Sequence, residues 1–284
     1  MDTPMICFIV ILIILLVLFL LYLFLVFPNR PRKEKWKPFL GYHYAHRGLF
    51  NNEGEAPENS LLAFAKAVEN GYGIELDVQL TKDNKLVVFH DDSLKRMCGV
   101  DGMVWEYTLE ELQAFHLASS KQCIPTFEDV LQTVGGKVPL IIEYKLDRVQ
   151  TRVCELANEV LKDYKGVYCI ECFHPLAPHW YKKNRPDVVR GQLCEEYFRT
   201  PKYRNALYFA MAYLAGNFFS RPDFIAYNCL HRKNLGRRFC RKLGALSVAW
   251  TVKSVEQFEE IKDDFDLFIF DSCILDPATA KKTV

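Results

Sequence analysis

The chain has 284 residues, half of them hydrophobic, and its 36 lysines and arginines nearly cancel 35 aspartates and glutamates, leaving a formal net charge of +1. That balance excludes the broad basic field of a nucleic-acid-binding protein, so no nucleic-acid partner is expected. Among 10 cysteines, Cys169 and Cys172 form one CxxC with no second pair to complete a zinc site, and reduced, mostly buried thiols are the simpler reading.

The first element is the run 5–27, which carries no charged residue. It is long enough to cross a bilayer as a helix, which takes about 20 apolar residues. The flank 1–4 lacks a basic segment and no small-residue cleavage site follows, so the run reads as an uncleaved anchor rather than a signal peptide. Residues 28–40 form a basic juxtamembrane linker with Arg30, Arg32, Lys33, Lys35 and Lys37. Positive flanks stay in the cytoplasm, so a single-pass protein with its large domain, 41–284, on the cytoplasmic side is expected. The same cations suit anionic headgroups.

From residue 41 strand-like and helix-like segments alternate. Apolar runs at 42–45, 73–80, 140–144, 167–172, 188–193, 224–228, 245–252 and 267–270 read as buried strands. Helices are expected at 60–70, 126–133, 149–161, 175–184, 201–219, 231–243 and 255–262. Eight such repeats predict an α/β fold, the (β/α)8 TIM barrel, whose usual size is ~250 residues. An open doubly wound sheet is the alternative, because alternation does not show closure. One further strand-like run, 86–90, follows the second strand across Lys82-Asp83-Asn84-Lys85. The irregular stretch of about 91–125, with a short helix at 108–115, reads as a small insertion after that strand, on the face where barrel active sites lie.

Three acids interrupt the apolar strands. Glu75 and Asp77 are two apart and share a face of their strand; Glu143 and Lys145 repeat that spacing on the next one. Buried carboxylates on one face repel each other unless paired or metal-bound, and oxygen donors favour Mg2+ or Ca2+ over zinc. For Glu143 an internal ion pair with Lys145 is the alternative. His46 ends the first strand and His90 ends the run after the second. In a barrel both reach the mouth that holds the carboxylates, where two imidazoles supply a general acid and a general base. Arg47, beside a cation and near Lys145, makes that mouth a site for phosphate.

The ordered stretches His46-Arg47-Gly48, Ala56-Pro57-Glu58-Asn59-Ser60, Glu75-Leu76-Asp77-Val78, His90-Asp91, Glu143-Tyr144-Lys145 and Trp250-Thr251-Val252 resemble the glycerophosphodiester phosphodiesterase family, from about residue 42 to 277. The resemblance implies one divalent cation, Ca2+ or Mg2+, held by Glu75, Asp77 and Glu143, with His46 and His90 as the acid/base pair. It implies that Arg47 and Lys145 hold the phosphate, that Asn59 lies close to it and that Trp250 lines the pocket. Helix capping by Asn59 or Ser60, and simple core packing of Trp250, are the alternatives at those positions. The resemblance further implies hydrolysis to glycerol 3-phosphate and an alcohol, the substrate's neighbouring hydroxyl attacking phosphorus to give a cyclic phosphate that water opens. Lys253, Cys172 and the spacing of Asp271 from Pro277 depart from the family pattern, and the departures bear on substrate selection.

Two substrate classes compete, water-soluble glycerophosphodiesters such as glycerophosphocholine and lysophospholipids still in the membrane; the anchor raises the second. A membrane-tethered, non-catalytic phosphate-lipid binding module and a metal-independent phospholipase C-like enzyme are the rival functions. The complete set of acids and histidines weighs against the first, and the carboxylates against the second.

Overall fold

Eight apolar runs pair in parallel and close on themselves in the computed structural model, which describes residues 3–146 and 150–283. The strands are β1 (Tyr44–His46), β2 (Gly73–Leu80), β3 (Leu86–Val88), β4 (Leu140–Tyr144), β5 (Tyr168–Cys172), β6 (Val189–Cys194), β7 (Phe224–Asn228), β8 (Leu246–Val252) and β9 (Leu267–Phe270). Closure is visible at Tyr44, which pairs with Gly73 of β2 on one side and Ile269 of β9 on the other. The sheet is therefore a TIM barrel, and the open-sheet alternative falls. Only β3 is antiparallel; it folds back on the end of β2, with Val78 opposite Val88. All eight residues of β2 are buried, as a parallel strand covered on both faces requires.

The helices of seven residues or more are α1 (Thr3–Val26), α2 (Leu61–Glu69), α3 (Phe127–Val134), α4 (Arg152–Leu161), α5 (Leu176–Asn184), α6 (Ala206–Ala212), α7 (Leu235–Lys242) and α8 (Val255–Ile261). Side-chain caps start five of these helices: Ser60, Thr126, Asn205, Asn234 and Ser254 each accept a first-turn N–H. Val149, the start of the helix expected at 149–161, lies outside the described residues, as do the terminal Met1, Asp2 and Val284. The single helix expected at 201–219 is broken. Asn205 caps α6, Leu214 takes a positive φ of 63°, and a separate turn, Asn217–Ser220, follows. The insertion after β3 builds a small core of its own around Val87, Phe89, Met97 and Leu112.

Residues 29–39 close the N-terminal end of the barrel. Trp36 and Phe39 are buried with Tyr44, Ile141 and Phe224, and the Tyr44 hydroxyl donates to the Phe39 carbonyl at 2.8 Å. Arg32 pairs with buried Asp223 and donates to the Val188 carbonyl at 3.0 Å. Just before it, Val26 is buried and its carbonyl accepts from Asn217 Nδ2 at 3.0 Å. α1 is long and apolar enough to cross a membrane.

Candidate active site

The site begins where β1 runs out. Arg47 and Gly48 take positive φ angles of 58° and 84°, and a Cβ on Gly48 would stand 2.8 Å from the Ala63 carbonyl carbon, so the turn requires glycine there. The turn lets the Arg47 amide donate to the Glu75 carbonyl at 2.9 Å and to Glu75 Oε2 at 3.2 Å. The Pro57-Glu58-Asn59-Ser60 stretch divides its work. Ser60 Oγ caps α2 through the Ala63 amide at 3.1 Å, whereas Asn59, at φ 57°, donates from Nδ2 to Asp77 Oδ2 at 2.9 Å.

Strand register assembles the acids. Asp77 lies opposite Glu143 on β4, and Glu143 opposite Glu171 on β5. Glu75, Asp77 and Glu143 each offer an oxygen within 4.8 Å of the others, and all three are buried. Lys145 bridges two of them, with Nζ 2.8 Å from Asp77 Oδ1 and 2.7 Å from Glu143 Oε2. Arg47 Nε stands 3.6 Å from Asp77 Oδ2.

Charge is shared unequally. Burial, reinforced by Asp77, Glu143 and Glu171, raises the Glu75 carboxyl well above the ordinary range. Burial and then Glu143 do the same to Glu171, and burial raises Glu143. At Asp77 burial acts in the same direction but is outweighed by Lys145 and the other cations around it, which hold this carboxyl well below its usual value. An excess of buried hard-oxygen donors, partly neutralised by protons, is the donor chemistry that fits Mg2+ or Ca2+.

Both histidines are fixed through Nδ1. His46 Nδ1 is 2.7 Å from Asp271 Oδ2, in the loop after β9, and its Nε2 lies 3.8 Å from Glu75 Oε2. Burial lowers the His46 pKa, and the bond to Asp271 opposes that shift. His90 Nδ1 is 2.6 Å from Asp91 Oδ1. Arg96 binds both Asp91 and Glu58, and Glu58 in turn holds Arg47 Nη1 at 2.7 Å. Burial notwithstanding, Arg96 and Arg47 pull the Glu58 carboxyl down to about 2.

His46, Arg47, Glu75, His90, Glu143 and Trp250 all line one pocket of about 640 Å3 at the C-terminal mouth of the barrel. Asp77, Asn59 and Lys145 support it from beneath through the bonds above. The opposite wall is apolar, built by Phe173, Leu193, Leu230, Trp250 and Ile269; Phe173 meets Trp250 edge-on at 5.5 Å. Among the acids and bases of the site, Asp271, Glu171, Glu58 and Arg96 carry no role in the sequence reading. Glu171 shows the same signal as Glu75, an acid inside an apolar strand. Asp271 directly follows β9, much as His46 ends β1. Arg96 has no local signal.

A family model described as the glycerophosphoryl diester phosphodiesterase family matches residues 46–263. A glycerophosphodiester phosphodiesterase of Caldanaerobacter subterraneus is 33% identical over 83% of this chain and 94% of that protein. The chain spans 62% of a Bacillus altitudinis glycerophosphodiester phosphodiesterase at 35% identity, and 49% of a human lysophospholipase D, to which half of it is 42% identical. Among solved structures, a Thermotoga maritima glycerophosphodiester phosphodiesterase superposes with a TM-score of 0.62 at 27% identity, covering 81% of this chain and 95% of that one. An Oleispira antarctica phosphodiesterase solved with sn-glycerol-3-phosphate shares the fold, with a TM-score of 0.67, 22% identity and coverage of 82% and 94%.

Proposed function

The chain belongs to the glycerophosphoryl diester phosphodiesterase family, and from that premise we propose that it hydrolyses glycerophosphodiesters to glycerol 3-phosphate and an alcohol, at a membrane and with one divalent cation, and that lysophospholipids are among its substrates. The observation that carries the reading is that His46, His90 and the carboxylate triad line or support a single pocket.

His46, tethered by Asp271, presents Nε2 to the pocket, as does His90, tethered by Asp91. One imidazole takes the proton of the substrate's glycerol hydroxyl as its oxygen bonds to phosphorus. The other gives a proton to the alcohol oxygen as the P–O bond breaks. Water then opens the cyclic phosphate with the two roles reversed. Arg47 and Lys145 face the phosphate with positive charge, and Asn59 keeps Asp77 oriented. Glu75, Asp77 and Glu143 would hold a Mg2+ or Ca2+ ion, which would supply Lewis-acid stabilisation of charge on phosphate oxygen. Trp250 and Phe173 pack against the glycerol or acyl portion.

α1 serves as the anchor, and the basic residues that follow it support a cytoplasmic barrel. The half-chain similarity to a lysophospholipase D supports a lipid substrate. Mass spectrometry of products from glycerophosphocholine and lysophosphatidylcholine, using detergent-purified full-length protein with and without chelator, tests the reading. Glycerol 3-phosphate from the first substrate, lysophosphatidate from the second and loss of both on chelation are expected. Full turnover in chelator refutes metal dependence, and absence of turnover with the metal present leaves only a binding module.

A further inference from the structure

The six most exposed large apolar side chains outside α1, among the described residues, are Leu230 (75%), Leu207 (67%), Leu235 (66%), Ile274 (61%), Phe209 (51%) and Val255 (47%). All six lie in segments that follow the C-terminal ends of β6, β7, β8 and β9, four strands adjacent in the barrel. They therefore form one sector of the mouth rim, on the side of the pocket's apolar wall. Leu230 belongs to both the rim and the pocket lining.

The path of α1 shows what covers that sector. Its last turn sits low on the barrel, where Arg221, just ahead of β7, donates to the carbonyls of Phe24 and Phe27. Three to four residues earlier, Tyr22 donates to the Tyr213 carbonyl and stacks on Phe239 with ring centroids 6.1 Å apart. Phe19 then shares a groove with Phe239 and Leu235. Because α7 runs from the mouth downward, α1 climbs the flank beside it, and its free N-terminal part projects past the rim. Burial ends at about Tyr22, so some 19 described residues of α1, Thr3 to Leu21, remain for the bilayer. At 1.5 Å each they reach about 28 Å, close to the ~30 Å of hydrocarbon a spanning helix must cover. The membrane boundary thus falls at Tyr22 and Phe239, the depth that aromatic side chains favour. Leu235 is one helical turn nearer the mouth than Phe239, about 6 Å into the apolar layer. Exposed Arg204 and Arg238 stand next to these residues, placed for headgroup phosphates.

Building on the reading of α1 as the membrane anchor, we infer that the barrel docks mouth-first, with the rim formed by Leu207, Phe209, Leu230 and Leu235 sunk into the bilayer leaflet, so that a lysophospholipid passes from the membrane into the pocket along the apolar wall without crossing water. The anchor then fixes orientation as well as proximity. Bound lipid phosphate lies on the polar side, at Arg47, and the acyl chain leaves past Leu230.

Benzoylphenylalanine introduced singly at 207, 235 or 167 in the full chain, reconstituted in phosphatidylcholine vesicles and irradiated, reports which end of the barrel meets lipid. Lipid adducts are expected at 207 and 235 and none at 167, which immediately precedes β5 at the opposite end of the barrel. Adducts at 167, or none at 207 and 235, overturn the inference. As a second arm, Leu207→Ser with Phe209→Ser should lower turnover of vesicle-borne lysophosphatidylcholine by at least ~10-fold and leave glycerophosphocholine turnover within about two-fold, since only interfacial seating is removed. Equal loss on both substrates counts against the inference. Lipid adducts at 207 in a protein that hydrolyses neither substrate would keep the orientation and refute the enzymatic reading, so the two failures are distinct.

Discussion

Glu75→Gln should move stability in opposite directions with and without a divalent cation. In the metal-free protein Glu75 shares its space with Asp77 and Glu143, ligand oxygens lying within 4.8 Å of one another. Two full charges at that separation repel by about 3 kcal/mol at an effective dielectric of ~20. Glu75 escapes most of this by holding a proton, as its raised pKa indicates, so removing the carboxylate should stabilise the apo protein only slightly, by about 1 kcal/mol or less. With the cation the sign reverses. Wild-type protein at a metal concentration of 100 times Kd gains about 2.7 kcal/mol, and for a domain of this size each kcal/mol moves Tm by roughly 2–4 °C. A shift of roughly 5–11 °C is therefore expected. If loss of one of three carboxylates weakens binding ~100-fold, the same concentration leaves about 0.4 kcal/mol, a shift near 1 °C. Differential scanning fluorimetry of detergent-purified protein, with chelator and then with Mg2+ or Ca2+, reads all four values. An unchanged metal-induced shift in Glu75→Gln would refute the ligand assignment.

His46→Ala and His90→Ala should each lower kcat by at least ~100-fold while far-ultraviolet circular dichroism is unchanged; near-normal turnover in either removes that residue from proton transfer. Asp271→Asn should lower kcat about 10- to 100-fold with little effect on KM, because the 2.7 Å bond to His46 loses its charge. Since that bond opposes the burial that lowers the His46 pKa, whichever limb of the rate profile His46 sets should also move to lower pH in the variant; two unmoved limbs contradict the positioning role. His43 is buried against Phe258 and Phe268 with its pKa lowered by burial to about 4. The unfolded chain takes up this proton near pH 6.5 and the folded one only near 4. Stability is thus full above about pH 6.5 and falls by about 3 kcal/mol as the pH drops through that window. His43→Gln should flatten that part of a urea-denaturation pH series.

The barrel was legible because parallel strands buried on both faces read as unbroken apolar runs: the predicted 73–80, 140–144, 224–228 and 267–270 coincide with β2, β4, β7 and β9. The same logic exposed Glu75, Asp77 and Glu143, acids that such strands carry only with compensation. What stayed hidden depends on pairs distant in sequence. Asp271 reaches His46 across 225 residues and Arg96 reaches Glu58 across 38, and neither distance leaves a local pattern. The helix expected at 201–219 failed for a local reason, since periodicity outweighed the turn signals at Pro201, Asn205 and Gly216. The linker, expected to suit headgroups, has a structural use its charge did not announce: Trp36 and Phe39 fill the barrel floor and Arg32 pairs with Asp223. Only closure of the barrel creates the cavity those side chains occupy.

The distribution of charge in the mouth bears on how the cation and substrate enter. Glu75, Asp77, Glu143 and Glu171 surround two cations, Arg47 and Lys145. Fully ionised, the group would carry two net negative charges and repel a phosphodiester. Burial and mutual repulsion raise the pKa values of Glu75, Glu143 and Glu171, which favours uptake of protons against this excess. A divalent cation ligated by three carboxylates competes with those protons, so its binding should release them and should strengthen as pH rises. Isothermal titration in two buffers of different ionisation enthalpy measures the release directly. A buffer-independent heat would mean that the carboxylates are already ionised in the free protein, and the account of Glu75 as a carboxyl that holds a proton until the cation displaces it would fail with it.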